Sequence, residues 1–340
     1  MSAMSAAIYD PVGPELGADE KAFFRDANPF GYILFARHCE SPEMVHRLVS
    51  ELKNLSGRDR LPILIDQEGG RVARLRPPHW PKYPTAASFA ALYKHDPESA
   101  MRATYLNARL IADDLYALGI TVDCAPLADM PVEGAHDVIG DRAFGHNAEQ
   151  VIALARAQAD GLMDGGVVPV LKHIPGHGRA LVDSHETVPV VDVSLETLRK
   201  TDFVPFKALN DLPMGMTAHV VFSAIDKDHM ATISPAAIDI IRGELGFKNL
   251  LMSDALDMKS MAGISPEERA RAALAAGCDI ALHCNAPLDE KKQIAKGVHA
   301  LEGIALKRAE AAMQSVGAPK DFDREAAFVE RDMLLTETYA

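Results

Sequence analysis

Short apolar runs without polar alternation recur along the chain, each followed by a longer stretch of helical composition, and this rhythm limits the possible folds more than any other feature. The runs fall near residues 4–9, 31–35, 61–65, 121–125, 167–171, 214–218, 249–252 and 278–282. Runs such as Ile63-Leu64-Ile65 and Val167-Val168-Pro169-Val170-Leu171 have no polar face, so both faces must be buried, as in parallel strands covered by helices. Between them, Ser41-Pro42-Glu43 and Ser265-Pro266-Glu267 each combine an N-cap, a proline at the first helical position and an acidic first turn, and Ser194-Leu195 and Ser234-Pro235 mark two more helix starts. About eight β/α repeats without a long linker predict an α/β protein, a single (β/α)8 TIM-type barrel rather than an open doubly wound sheet. The barrel is expected over residues 1–318, with residues 319–340 forming a charged helical tail packed on it.

Composition narrows the function classes. Lys and Arg number 35 against 48 Asp and Glu, giving a net charge of −13, and no segment concentrates cations as a row of phosphates would require. Nucleic acid is therefore not an expected partner. No apolar stretch reaches the ~20 residues of a membrane span, and the first residues lack the basic region of a secretory signal, so a cytoplasmic protein without membrane contact is expected. Cys39, Cys124, Cys278 and Cys284 are widely scattered and read as buried thiols of a reducing compartment, not a disulfide framework. A monomer is expected. Trp80 and Tyr83, in the proline-rich stretch 77–84, are assigned to packing rather than to the rim of a site.

In such a barrel the reactive groups lie just past the C-terminal ends of the strands. The third run leads into Asp66-Gln67-Glu68-Gly69-Gly70-Arg71, the fourth into Pro126-Leu127-Ala128-Asp129, the fifth into Lys172-His173, the sixth into Ala218-His219 and the seventh into Ser253-Asp254. Residues 172–185 hold three histidines, a lysine and an aspartate, and their proline and two glycines predict a loop, with Gly176 and Gly178 allowing it to move. Asp183 stands two residues before His185, where it can fix the imidazole tautomer and raise its basicity for proton exchange near neutral pH. Asp254, at a strand end, suits a nucleophile toward an anomeric carbon but equally a helix cap, and Asp257 could play either part. Around the Gly69-Gly70 pair, which lets backbone approach a ligand, two acids and two arginines offer the paired donors and acceptors that sugar hydroxyls need. Arg71 and Arg74 could instead pair with Glu68, and Gly140-Asp141-Arg142 could be a structural turn.

Together, Asp66-Gln67-Glu68-Gly69-Gly70-Arg71, Ile139-Gly140-Asp141-Arg142, Lys172-His173-x-Pro175-Gly176-His177-Gly178-x4-Asp183-Ser184-His185 and Ser253-Asp254 resemble the bacterial β-N-acetylglucosaminidases of glycoside hydrolase family 3, in order and spacing, over about residues 5–315. The resemblance implies a single-domain, cofactor-free enzyme that strips terminal non-reducing N-acetylglucosamine from peptidoglycan fragments in cell-wall recycling. It makes Asp254 the nucleophile and His185, oriented by Asp183, the acid/base. It places Asp66, Arg74, Arg142, Lys172 and His173 on the hydroxyls of the terminal sugar, with no metal ligand. The chain departs from the family at Ala255, where a second acid commonly follows the nucleophile. Rival readings are a metal hydrolase using His173, His177 and His185 with Asp254, a lyase forming a Schiff base on Lys172, and a sugar-binding protein without turnover.

Overall fold

The computed structural model describes residues 3–134, 136–182 and 187–336. Eight parallel strands form the central sheet: β1 (Ser5–Tyr9), β2 (Pro29–Leu34), β3 (Ile63–Ile65), β4 (Val122–Asp123), β5 (Val168–Ile174), β6 (Met214–Thr217), β7 (Leu250–Met252) and β8 (Ala281–His283). Each pairs with its successor through β7, and β8 pairs with β1, with Tyr9 beside His283. The circle is completed between β7 and β8 by a parallel bridge from Met252 to Ile280, where the Ser253 N–H donates to the Ile280 carbonyl at 2.9 Å. The chain thus forms a (β/α)8 barrel, with the eight runs supplying its strands. Ile63, Leu64, Ile65, Val168, Val170, Leu171, Leu250 and Leu251 are all fully buried, as strands enclosed on both faces require.

The four serine helix starts are real N-caps. Ser41, Ser194, Ser234 and Ser265 accept from the backbone N–H groups of Met44, Thr197, Ala237 and Glu268 at 3.3, 3.1, 3.2 and 3.3 Å. Two features differ from expectation. β5 continues to Ile174, so Lys172 and His173 stand on the strand and not on the loop. The ladder extends because the Lys172 N–H donates to the Pro126 carbonyl at 3.0 Å and its carbonyl accepts from Ala128 at 2.8 Å, until Pro175 ends it. A second, two-stranded parallel pair, Val190–Val191 with Val221–Phe222, is too short to leave a hydrophobic pattern.

At the β1/β8 seam, the buried Asp10 joins residues distant in sequence. Its carboxylate pairs with Lys291 at 2.8 Å and with Arg37, and accepts the Asn285 N–H at 3.0 Å. The helix Arg324–Thr336 lies against the helix Pro97–Ala117, where Arg324 pairs with Asp113 at 2.8 Å and Asp114 at 2.7 Å, and Arg102 with Glu330 at 2.7 Å. Trp80 and Tyr83 are buried, and the Tyr83 hydroxyl donates to Asp114 at 2.5 Å, so both serve packing. The four cysteines are buried free thiols.

Candidate active site

A cavity of about 310 Å³ opens at the C-terminal ends of the strands, within the range of small-ligand pockets. Asp66, Arg74, Arg142, Lys172, His173 and Asp254 all line it, together with His177 and Asp257. Asp66 follows β3 directly, Lys172 and His173 precede Ile174, the last residue of β5, and Asp254 lies two residues past β7. Arg142 comes from a short 3-10 turn, Gly140–Arg142, in the long connection after β4.

Lys172 is the hub. Its Nζ sits 3.1 Å from Asp66 and 2.6 Å from Glu68 while the side chain is almost wholly buried. Arg74 reaches the other oxygen of Asp66 at 2.9 Å, and Arg142 grips Glu68 with two parallel bonds of 2.7 and 2.9 Å. Burial alone would raise both carboxylates, but the charges of Lys172 and Arg74 hold Asp66 well below its usual range, and those of Arg142 and Lys172 hold Glu68 at about 2. Burial would lower Lys172, yet Glu68 and Asp66 push it above the ordinary lysine value. An ammonium so held is no amine nucleophile, which disfavours the Schiff-base reading.

The backbone of the segment after β3 explains how these groups meet. Gln67 accepts from the N–H groups of Arg74 and Leu75 at 2.8 and 3.0 Å, folding the chain back so that Arg74 faces Asp66. Gly69 and Gly70 have φ of +101° and +56°, and a Cβ on Gly69 would lie 2.3 Å from the Pro84 carbonyl. The glycine pair therefore answers a close approach of protein to protein, not of backbone to ligand. Arg71 pairs with Asp141 at 2.8 Å rather than with Glu68.

Beside the hub, Asp129 organises the segment that ends β5. Its carboxylate bonds His173 Nδ1 at 2.7 Å and accepts the His177 N–H at 2.6 Å. With Nδ1 so engaged, Nε2 is the His173 nitrogen left for a ligand. Burial and the neighbouring His173 push His177 down to about 4, so its ring is neutral at pH 7. Gly178 packs on the backbone of Met130, where a Cβ would lie 1.9 Å from the carbonyl oxygen, so that contact rather than mobility requires the glycine. Asp254 accepts the Ala255 N–H at 2.8 Å, and its own N–H donates to Thr217 at 3.3 Å. Asp257, beside the Cys284 thiol at 3.4 Å, is raised by burial.

Asp183 and His185 lie outside the described residues. Among the described residues no cluster of three or more metal-ligating side chains occurs. Two participants, Glu68 and Asp129, stood among the strand-end residues in the sequence but were given no individual role. Both follow barrel strands, and that position was the signal for them.

Residues 14–318 match the glycosyl hydrolase family 3 N-terminal domain. The chain belongs to glycosyl hydrolase family 3. Within the family, it is 40% identical over 279 residues to a β-hexosaminidase of Alkalilimnicola ehrlichii, covering 81% of this chain and 79% of that one. It is 38% identical to a β-hexosaminidase of Methylococcus capsulatus, covering 82% and 83%. Among solved structures it resembles NagZ from Neisseria gonorrhoeae in complex with N-trifluoroacetyl-D-glucosamine, with a TM-score of 0.87, 31% identity and 98% of both chains covered. The family 3 membership and the paired charges at the barrel mouth agree on a carbohydrate-cleaving site.

Proposed function

We propose that the chain is a retaining exo-β-N-acetylglucosaminidase that releases terminal non-reducing N-acetylglucosamine from peptidoglycan fragments in cell-wall recycling, acting as a cytoplasmic monomer without cofactor. The observation that carries this reading is the single cavity in which the Lys172 network faces Asp254. Asp66, Arg74, Arg142, Lys172 and His173 present fixed donors and acceptors at one side, which is what the hydroxyls of a terminal sugar require. The name of the Neisseria ligand, a glucosamine derivative acylated at nitrogen, supports the choice of sugar.

In the first step a lone pair of the Asp254 carboxylate bonds to the anomeric carbon as the bond to the leaving oxygen breaks, and that oxygen takes the proton of His185. In the second, His185 removes a proton from water, whose oxygen bonds to the anomeric carbon and expels Asp254 as carboxylate. Two inversions at one carbon give net retention. Asp183 holds the His185 tautomer. An imidazole in the acid's place keeps a second negative charge away from an anionic muropeptide, and His185→Glu should therefore fail on that substrate.

Initial rates on an aryl β-N-acetylglucosaminide against the matching β-glucoside, with and without EDTA, test the reading. Selective, EDTA-insensitive hydrolysis that disappears in Asp254→Ala is expected. Turnover of neither glycoside, or loss of the reaction on chelation, would overturn it in favour of the three-histidine metal reading.

A further inference from the structure

Asp123, at the end of β4, is fully buried beneath the charged cluster and has no part in the reaction just described. One of its oxygens, Oδ1, accepts the Gln67 N–H at 2.9 Å. Gln67 is itself buried, and its side chain closes the segment after β3: Oε1 accepts from Arg74 and Leu75, and Nε2 donates to the Leu75 carbonyl at 3.1 Å. The two residues flanking Gln67 are Asp66 and Glu68, both carboxylates on Lys172, and the far end of the clamp carries Arg74. A single bond from β4 thus fastens the residue on which three members of the cluster turn.

We propose that Asp123 is a positioning residue of the sugar site, acting through Gln67 to hold Asp66, Glu68 and Arg74 in register with Lys172. This role rests on the sugar-binding assignment above. The second oxygen, Oδ2, is buried with no hydrogen-bond partner among the described residues, an arrangement that favours the neutral acid. The titratable groups around Asp123 are Asp66 and Glu68 on the segment after β3, Lys172 on β5 and Cys124 beside it in sequence. Burial dominates among these influences and raises Asp123 to about 7. In its neutral form it accepts from Gln67 and leaves Lys172 to Asp66 and Glu68. Once ionised, it adds a third carboxylate to the field of that ammonium and loosens the register.

The test is KM and kcat on the aryl β-N-acetylglucosaminide from pH 5.5 to 9 for wild type, Asp123→Leu, Asp123→Asn and Gln67→Leu, with thermal melts as the check on folding. Asp123→Leu and Gln67→Leu should raise KM roughly tenfold or more while kcat moves much less, because the displaced groups bind sugar rather than react. Asp123→Asn keeps an acceptor for Gln67, and should recover most of the lost affinity and lack the rise in KM above pH 7 that the proposal predicts for wild type. If Asp123→Leu does not fold, Asp123→Asn decides by its pH profile, because Gln67→Leu keeps the backbone N–H that Asp123 accepts and reports on the clamp alone. Folded variants with wild-type KM and an unchanged pH profile would overturn the positioning role, as would a loss confined to kcat. Wild-type inactivity on the N-acetyl substrate is a different result, since it removes the functional reading and this assignment with it.

Discussion

The two walls of the cavity are built on opposite plans. On the β3–β5 side the charged groups stand in pairs within hydrogen-bond reach, Asp66 with Arg74 and Lys172 and Glu68 with Arg142 and Lys172, and the Asp129 carboxylate bonds the His173 ring. On the β6–β8 side the lining is Met216, Ala255, Met258 and Leu282 around Asp254 and Asp257, and the bond that Asp254 accepts from Ala255 comes from its own neighbour in the chain. The first wall is fixed by mutual charge. The second keeps a carboxylate against apolar surface, where charge developing on a substrate is weakly screened. In the mechanism proposed above, recognition and reaction thus fall to different strands.

The sharpest way to break that division is Asp254→Ala. It should lower kcat on the order of 10⁴-fold or more, while binding of N-acetylglucosamine, measured by calorimetry, stays near wild type because the other wall is intact. Lost binding would mean that the walls are not separable. Next in size, Lys172→Met should act on the first wall, cutting kcat/KM by about a hundredfold through misplaced Asp66 and Glu68. It should also cost about 3 kcal/mol in urea melts, since two buried carboxylates lose a shared cation. An unchanged stability would show that Arg74 and Arg142 suffice.

Acid should dismantle the first wall before the fold is otherwise challenged. His177 is depressed to about 4, so its contribution is lost as pH falls from the unfolded histidine value near ~6.5 toward 4. Glu68, held at about 2, contributes fully above its unfolded value near ~4.3, and that contribution fades as pH drops toward 2. Denaturant midpoints at pH 7, 5.5, 4 and 3 should therefore fall in two stages, the second smaller in Glu68→Gln. The smallest effect is expected outside both walls. Arg102→Ala breaks a half-exposed pair with Glu330, and should change stability by no more than about 1 kcal/mol and leave kcat/KM unaltered.

The fold was legible because each strand of this barrel must be apolar on both faces, and Ile63-Leu64-Ile65 or Leu250-Leu251-Met252 can serve nothing else. Helix starts were equally plain, since a serine cap before proline acts within one turn. The candidate site was legible as a set of strand ends, with the glycosidase motifs naming the members. What escaped was pairing. Glu68 meets Arg142 across 74 residues and Asp129 meets His173 across 44, and local pattern carries no record of which strand ends face one another. Gly178 admits a close neighbour, Met130, which lies in another connection and leaves no trace in the local pattern. β5 outran its apolar run because Lys172 is buried by its ion pairs rather than by its own hydrophobicity.

The seam between β1 and β8 bears on how the molecule is made. Tyr9 lies beside His283, and Asp10 meets Lys291 across 281 residues, so the pairing that closes the barrel is among the most non-local in the chain. Contacts of such separation form late, since the intervening loop must close before they return any energy. In a growing chain the edge of β1 that β8 covers stays unpaired until β8 has been made, about 270 residues later. The fully buried Asp10, which Arg37 already pairs with from the first half of the barrel, is then tied to the last β/α unit by Lys291.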